Sequence, residues 1–258
     1  MPAHLGLDDY ISVIERSGAA LRSAAERAGP GARVPTCPDW RVADLVAHQG
    51  MVHRWAAAHL RGDSAHDSGH SHAEGLAAPD PLGWLRAGLD ALVETLRETA
   101  DDAEAAVFLR DAPRPRLFWA RRQAHETTVH SVDALAAALG TPPAPADTSI
   151  APALAADGID ELLCGFLPRA KSRLRSAEPR RILVRTADTG HAWSLRVSED
   201  PVVTEVGAAG TAESPDAVFG GTAVQLYLAL WNRSAEAEVD GLPELLEQWR
   251  TQVRVEWG

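Results

Sequence analysis

Cysteine is nearly absent: Cys37 and Cys164 are the only two in 258 residues. Two distant cysteines make neither a disulfide framework nor a four-cysteine zinc site, and they fit a reducing, cytoplasmic compartment. Lysine is scarcer still, with Lys171 the single one among 25 basic residues. Abundant alanine and arginine beside it fit genome base composition better than any functional demand. A formal charge of −11 argues against a nucleic-acid surface, because such surfaces neutralise phosphates with Lys and Arg. No apolar run approaches the roughly 20 residues of a membrane span. Met1 to Asp9 has neither the basic flank nor the apolar stretch of a secretory signal. What is present is a globular composition, 45% apolar, long enough for two ordinary domains.

The first half is helical in pattern. Leu7, Tyr10, Ile14, Leu21 and Ala25 keep helical spacing up to Arg27. Gly29, Pro30 and Gly31, then Pro35 and Pro38, stop that helix. A second helix is expected from Arg41 to Leu60, with Leu45, His48, Val52 and Trp55 on one stripe. Arg61 to Asp80, rich in Gly, Ser, Asp and His, reads as an exposed loop. A third helix spans Pro81 to Thr99, and Pro81 suits its first turn. After Pro113-Arg114-Pro115, a fourth runs to Leu139 and stops at Gly140. Residues 1–140 are thus expected to form an up-down bundle of four helices.

Thr141 to Pro152 carries four prolines in twelve residues and reads as an extended linker. Residues 153–258 change character. A helix near Ala153 to Arg169 is followed by strand patterns at Arg181–Thr186, His191–Val197 and Pro201–Val206. Helical segments are expected again at Asp216–Trp231 and Pro243–Val253. Grouped strands followed by helices make an α+β domain, and the whole chain an α+β fold.

The segment Arg121 to Asp133, RRQAHETTVHSVD, holds the residues with chemistry. It superficially matches the zinc-protease pattern H-E-x-x-H. His125 and His130, however, are five apart, about 500° around a helix, and so lie on different faces. Glu126 and His130 are four apart and share a face. They offer one oxygen and one imidazole nitrogen, and a catalytic zinc-type site wants a third ligand. His48 is the best candidate, since its stripe points into the bundle, where metal sites are built from facing helices. Asp133, three residues beyond His130, is placed to hold the imidazole's other N–H. Taken singly, His48 also fits a hydrogen-bonded core histidine, and Glu126 with His130 an ordinary helix pair.

The run Cys37-Pro38-Asp39-Trp40, with Asp44-Leu45-Val46-Ala47-His48, resembles the start of the mycothiol-dependent maleylpyruvate isomerase family. So does Arg121-Arg122-Gln123-Ala124-His125-Glu126-Thr127-Thr128-Val129-His130. Asp216-Ala217-Val218-Phe219-Gly220 and Leu228-Ala229-Leu230-Trp231-Asn232-Arg233 resemble that family's C-terminal domain. The resemblance implies a DinB-like four-helix bundle followed by a small α+β domain similar to sterol carrier proteins. It implies a divalent metal, zinc, on His48, Glu126 and His130, and an arginine late in the second domain, matched by Arg233, facing the active site. The expected function is metal-dependent activation of a low-molecular-weight thiol, mycothiol, for addition to an electrophilic small molecule. The outcome is then S-transfer or cis–trans isomerisation. A non-catalytic metal- or small-ligand-binding protein of the same fold is the alternative, and hydrolysis by water at a metal is a third reading.

The other conspicuous residues read as structure. His66, His70 and His72, with Asp63 and Asp67, belong to the expected loop. Cys37 lies in a Pro-flanked turn with no base in sequence reach, and Cys164 in an apolar run. Trp40 and Trp55 are expected in the bundle core.

Overall fold

The computed structural model describes residues 5–109, 111–207 and 214–253. These divide into two compact units: one of residues 6–108 and 112–143, the other of residues 144–207 and 214–253 with Leu5, Leu109 and Asp111. The fold is α+β, and no helix among the described residues is long and apolar enough to cross a membrane.

In the first unit α1 (Leu7–Ala28) is followed by a hairpin of β1 (Arg33–Val34) and β2 (Cys37–Arg41), then by α2 (Val42–Arg61). The helices α3 (Ser68–Ala77), α4 (Pro81–Glu98) and α5 (Pro115–Leu139) complete it. Their ends follow local chemistry. Pro81 and Pro115 open α4 and α5, where a missing N–H costs nothing. Gly62 and Gly140 close α2 and α5 in the left-handed region, at φ 67° and 76°. Tyr10, Ile14, Leu21, Leu45, Leu92 and Phe118 are buried along the inward stripes. Gly18 lets α1 come close to α4: a Cβ there would overlap Leu89 Cδ1 at 2.0 Å.

Two expectations for this unit are corrected. Arg61 to Asp80 is not a plain loop, because Ser68 to Ala77 forms α3. Asp67 caps it, accepting from His70 N at 3.0 Å. The only residues α3 buries are Ser71 and Gly75, so it carries no apolar stripe for a periodicity argument to find. Gly75 is required by contact, since a Cβ would stand 2.7 Å from the Trp84 ring and 3.1 Å from Ala47 Cα. The turn expected around Cys37 is likewise a two-stranded hairpin, with Val34 paired to Cys37.

In the second unit a 3₁₀ turn at Pro145–Asp147 interrupts the expected extended segment, and α6 (Pro152–Asp160) runs into a π-helical stretch, Glu161–Phe166. A five-stranded sheet follows, built from β3 (Arg180–Thr186), β4 (Ala192–Val197), β5 (Val203–Val206), β6 (Ala217–Gly221) and β7 (Glu238–Gly241). Its order is β5-β4-β3-β6-β7, antiparallel except where β6 runs parallel to β3. Val184 has Trp193 opposite on one side and Phe219 on the other, and all three are buried. The remaining helices are α7 (Ala223–Leu230) and α8 (Glu244–Gln252).

The helix expected over Asp216–Trp231 is corrected: its first part is β6, and only Ala223 to Leu230 is helical. Gly220 and Gly221 end the strand, and Thr222 alone separates it from the helix. Thr222 then starts α7 through a capping box with Gln225, its hydroxyl accepting from Gln225 N at 3.3 Å.

Candidate metal centre

The structure brings His48 from α2 together with Glu126 and His130 from α5. Glu126 Oε1 lies 3.5 Å from His48 Nε2 and 3.2 Å from His130 Nε2. One donor atom from each residue falls within 4.8 Å of the others, and all three residues are buried. Ligand atoms on one tetrahedral ion at about 2.1 Å stand about 3.4 Å apart, which these separations resemble. By hydrogen-bond geometry His48 Nε2 and Glu126 Oε1 are buried without a partner, although both stand at ion-pair distance within the cluster. Buried polar atoms are normally satisfied, so two orphans aimed at one point fit a cation that completes them.

Each ligand candidate is held from behind. Arg122, fully buried, donates from Nη2 to Glu126 Oε2 at 3.1 Å, leaving Oε1 for the shared point. Asp133, also fully buried, accepts from His130 Nδ1 at 2.8 Å, so Nε2 faces Glu126. Trp40 of β2 lies against both rings, with centroids 4.8 Å from His48 and 5.8 Å from His130. It is half-buried, packs against the apolar core of the unit as expected, and also borders the site. Trp55 instead packs edge-on against Trp119 at 5.0 Å and His59 at 4.8 Å.

The electrostatics are those of a site built around positive charge. Burial lowers the pKa of His48, outweighing its contact with Glu126, so it is a neutral imidazole. Burial alone would push Glu126 up, but His130 and His48 hold it well below the ordinary carboxylate range. Burial likewise opposes charge on His130, yet Asp133 and Glu126 raise it to about 9. In the metal-free protein a proton on His130 occupies the role a cation would take.

The remaining candidates lie elsewhere. His125 faces away, edge-on to Tyr10 at 6.5 Å, as the helical angle requires. His70 pairs with Glu74 at 3.4 Å on the exposed face of α3. Cys37 Sγ stands 3.5 Å from Asp133 Oδ2, and Cys164 Sγ 3.3 Å from Asp160 Oδ1. Arg233 belongs to the second unit, just past α7, where its Nη1 donates to Trp231 O at 2.7 Å. Sequence reasoning missed Arg122, although its place four residues before Glu126 was a usable signal. It missed Thr36 too, which donates to Asp133 Oδ1 across the unit and which no spacing rule could pair with it.

Residues 12–135 match the mycothiol maleylpyruvate isomerase N-terminal domain, and residues 153–248 match the C-terminal domain of the same family. The chain belongs to the mycothiol maleylpyruvate isomerase family. It is thus a member of an enzyme family. A crystal structure of the mycothiol-dependent maleylpyruvate isomerase is similar over 93% of this chain and 96% of that one, with TM-score 0.62 and 15% identity. A histidine-to-alanine mutant of the mycothiol-dependent maleylpyruvate isomerase gives TM-score 0.61 and 14% identity over the same shares. At such identity the likeness concerns the fold. No curated protein matches the chain.

Proposed function

We propose that this family member is a divalent-metal-dependent enzyme that activates mycothiol, or a similar low-molecular-weight thiol, for addition to an electrophilic small molecule. The observation that carries the reading is the pair of buried orphan atoms, His48 Nε2 and Glu126 Oε1, converging with His130 Nε2. Two imidazoles and a carboxylate are the donor set of a zinc site that keeps a position open. When bound, the ion supplies Lewis acidity that holds a thiol as its thiolate, the nucleophilic form.

The protein's own groups do the rest. Arg122 keeps Glu126 from rotating, and Asp133 keeps the His130 ring in one tautomer. Trp40 covers the imidazoles on one side and limits water there. Arg233 offers a planar fork suited to a substrate carboxylate. Addition of the thiolate to a carbon–carbon double bond leaves a single bond free to rotate. The displaced pair rests on a conjugated carbonyl as an enolate: its return after rotation expels the thiolate and completes isomerisation, whereas protonation of the enolate carbon keeps the new C–S bond and completes S-transfer.

Elemental analysis of tag-free protein, followed by calorimetric titration of mycothiol into the zinc-loaded form, tests the reading. Expected are about one metal per chain, as a three-ligand site implies, and thiol binding that disappears on chelation. His48→Ala should remove the metal and leave helical circular dichroism intact. Arg233→Ala should weaken substrate or thiol binding while the metal stays. Metal retained by His48→Ala would overturn the ligand set, and metal without thiol binding would favour the non-catalytic alternative.

A further inference from the structure

Between α1 and α2 the β1–β2 hairpin turns on two residues only, Pro35 and Thr36. Pro38 and Asp39 on its far side are exposed. Three of its side chains nevertheless turn toward one place. Thr36 Oγ1 donates to Asp133 Oδ1 at 2.5 Å, and Cys37 Sγ donates to Asp133 Oδ2 at 3.5 Å. Trp40 lies on the His48 and His130 rings. Asp133 is fully buried, and the oxygen that Thr36 leaves alone is the one that accepts from His130 Nδ1.

An aspartate carboxylate rotates broadly about its last torsion. One hydrogen bond to His130 does not fix its plane. A second, from Thr36 to the other oxygen, does. With the carboxylate plane fixed, the His130 ring is fixed as well, and its Nε2 is held toward Glu126. The thiol of Cys37 is a weak donor and adds less.

We propose that the hairpin turn is a positioning element of the metal centre, in which Thr36 acts through Asp133 to orient His130. The inference rests on the proposed metal site. Partners behind a metal ligand are worth about 10- to 100-fold in metal affinity, so the loss of one hydroxyl is predicted to be visible in binding. If Thr36 served only to make the turn, its removal would alter folding stability and leave the affinity of the folded protein unchanged.

The test is zinc alone, titrated against a competing chelator into the metal-free full chain. The proteins compared are wild type, Thr36→Val, which keeps the shape and removes the hydroxyl, and Thr36→Ser, which restores it. Thermal midpoints of the metal-free forms are measured alongside. About 10-fold weaker zinc binding by folded Thr36→Val, with wild-type affinity regained in Thr36→Ser, is the expected result. Equal affinity of Thr36→Val and wild type overturns the positioning role and leaves the metal site standing. Wild-type protein that takes up no zinc overturns the site itself, and the inference with it. Should Thr36→Val fail to fold, Thr36→Ala makes the same comparison without a β-branch in the turn.

Discussion

Along the seam between α2 and α5, two buried polar layers adjoin. In one, His48, Glu126 and His130 converge, backed by Arg122 and Asp133. In the other, Gln49 Nε2 donates to His53 Nε2 at 2.8 Å, and Thr127 Oγ1 lies 3.0 Å from the same nitrogen. Both layers hold fully or nearly fully buried histidines from the same helix. Burial lowers His53 to about 3, whereas two carboxylates overcome burial and raise His130 to about 9. His130 stays charged because two carboxylates stand against it, whereas His53 meets only an amide and a hydroxyl and stays neutral. Depth alone does not decide.

The strongest way to break this comparison is to remove the charge at its centre. Glu126→Gln should abolish metal uptake and cost about 3 kcal/mol in denaturant unfolding, because it breaks the buried ion pair that Glu126 makes with Arg122. Undiminished metal content in that variant would erase the distinction between the layers.

Next in size is the pH dependence of the metal-free protein, which the two histidines bend in opposite senses. The raised pKa of His130 contributes stability that is complete below about 6.5 and is lost as pH climbs through about 9. Its magnitude is on the order of 3 kcal/mol. The lowered pKa of His53 contributes stability present above about 6.5 and lost as pH falls toward 3. Since a proton on His130 competes with the ion, metal affinity should also rise with pH, by up to about tenfold per unit, until about 9. Unfolding midpoints in His130→Gln and His53→Gln assign the two limbs. Unchanged slopes in both variants would refute the assignment.

The smallest effect belongs to the neutral layer. His53→Leu should keep the metal and cost about 1–2 kcal/mol, the loss of partners for Gln49 and Thr127. Metal loss on that substitution would show that the layers are not separable.

Much of this was legible in the sequence where helical period and chemistry coincide. The four-residue step from Glu126 to His130, and the inward stripe carrying His48, follow from angles on a helix. The boundaries at Pro81, Pro115 and Gly140 follow from backbone chemistry. What stayed hidden lacks a periodic signal. The helix α3 packs through Ser71 and Gly75 instead of large apolar residues. Strand β6 was lost because Ala217 to Phe219 runs apolar toward a helix, and only the Gly220-Gly221 pair marks the break. The hold of Thr36 on Asp133 joins positions 97 residues apart, beyond any local rule.

Arg122 has a consequence for which ions the centre tolerates together. With an ion displacing the His130 proton, both imidazoles would be neutral, and one guanidinium set against the carboxylates of Glu126 and Asp133 would leave these side chains one unit negative. A divalent cation alone would carry it one unit positive, and in a region shielded from water such an imbalance is costly. Were a divalent ion held there, electroneutrality would call for a monovalent anion beside it, which a thiolate would satisfy and a neutral thiol or water molecule would not.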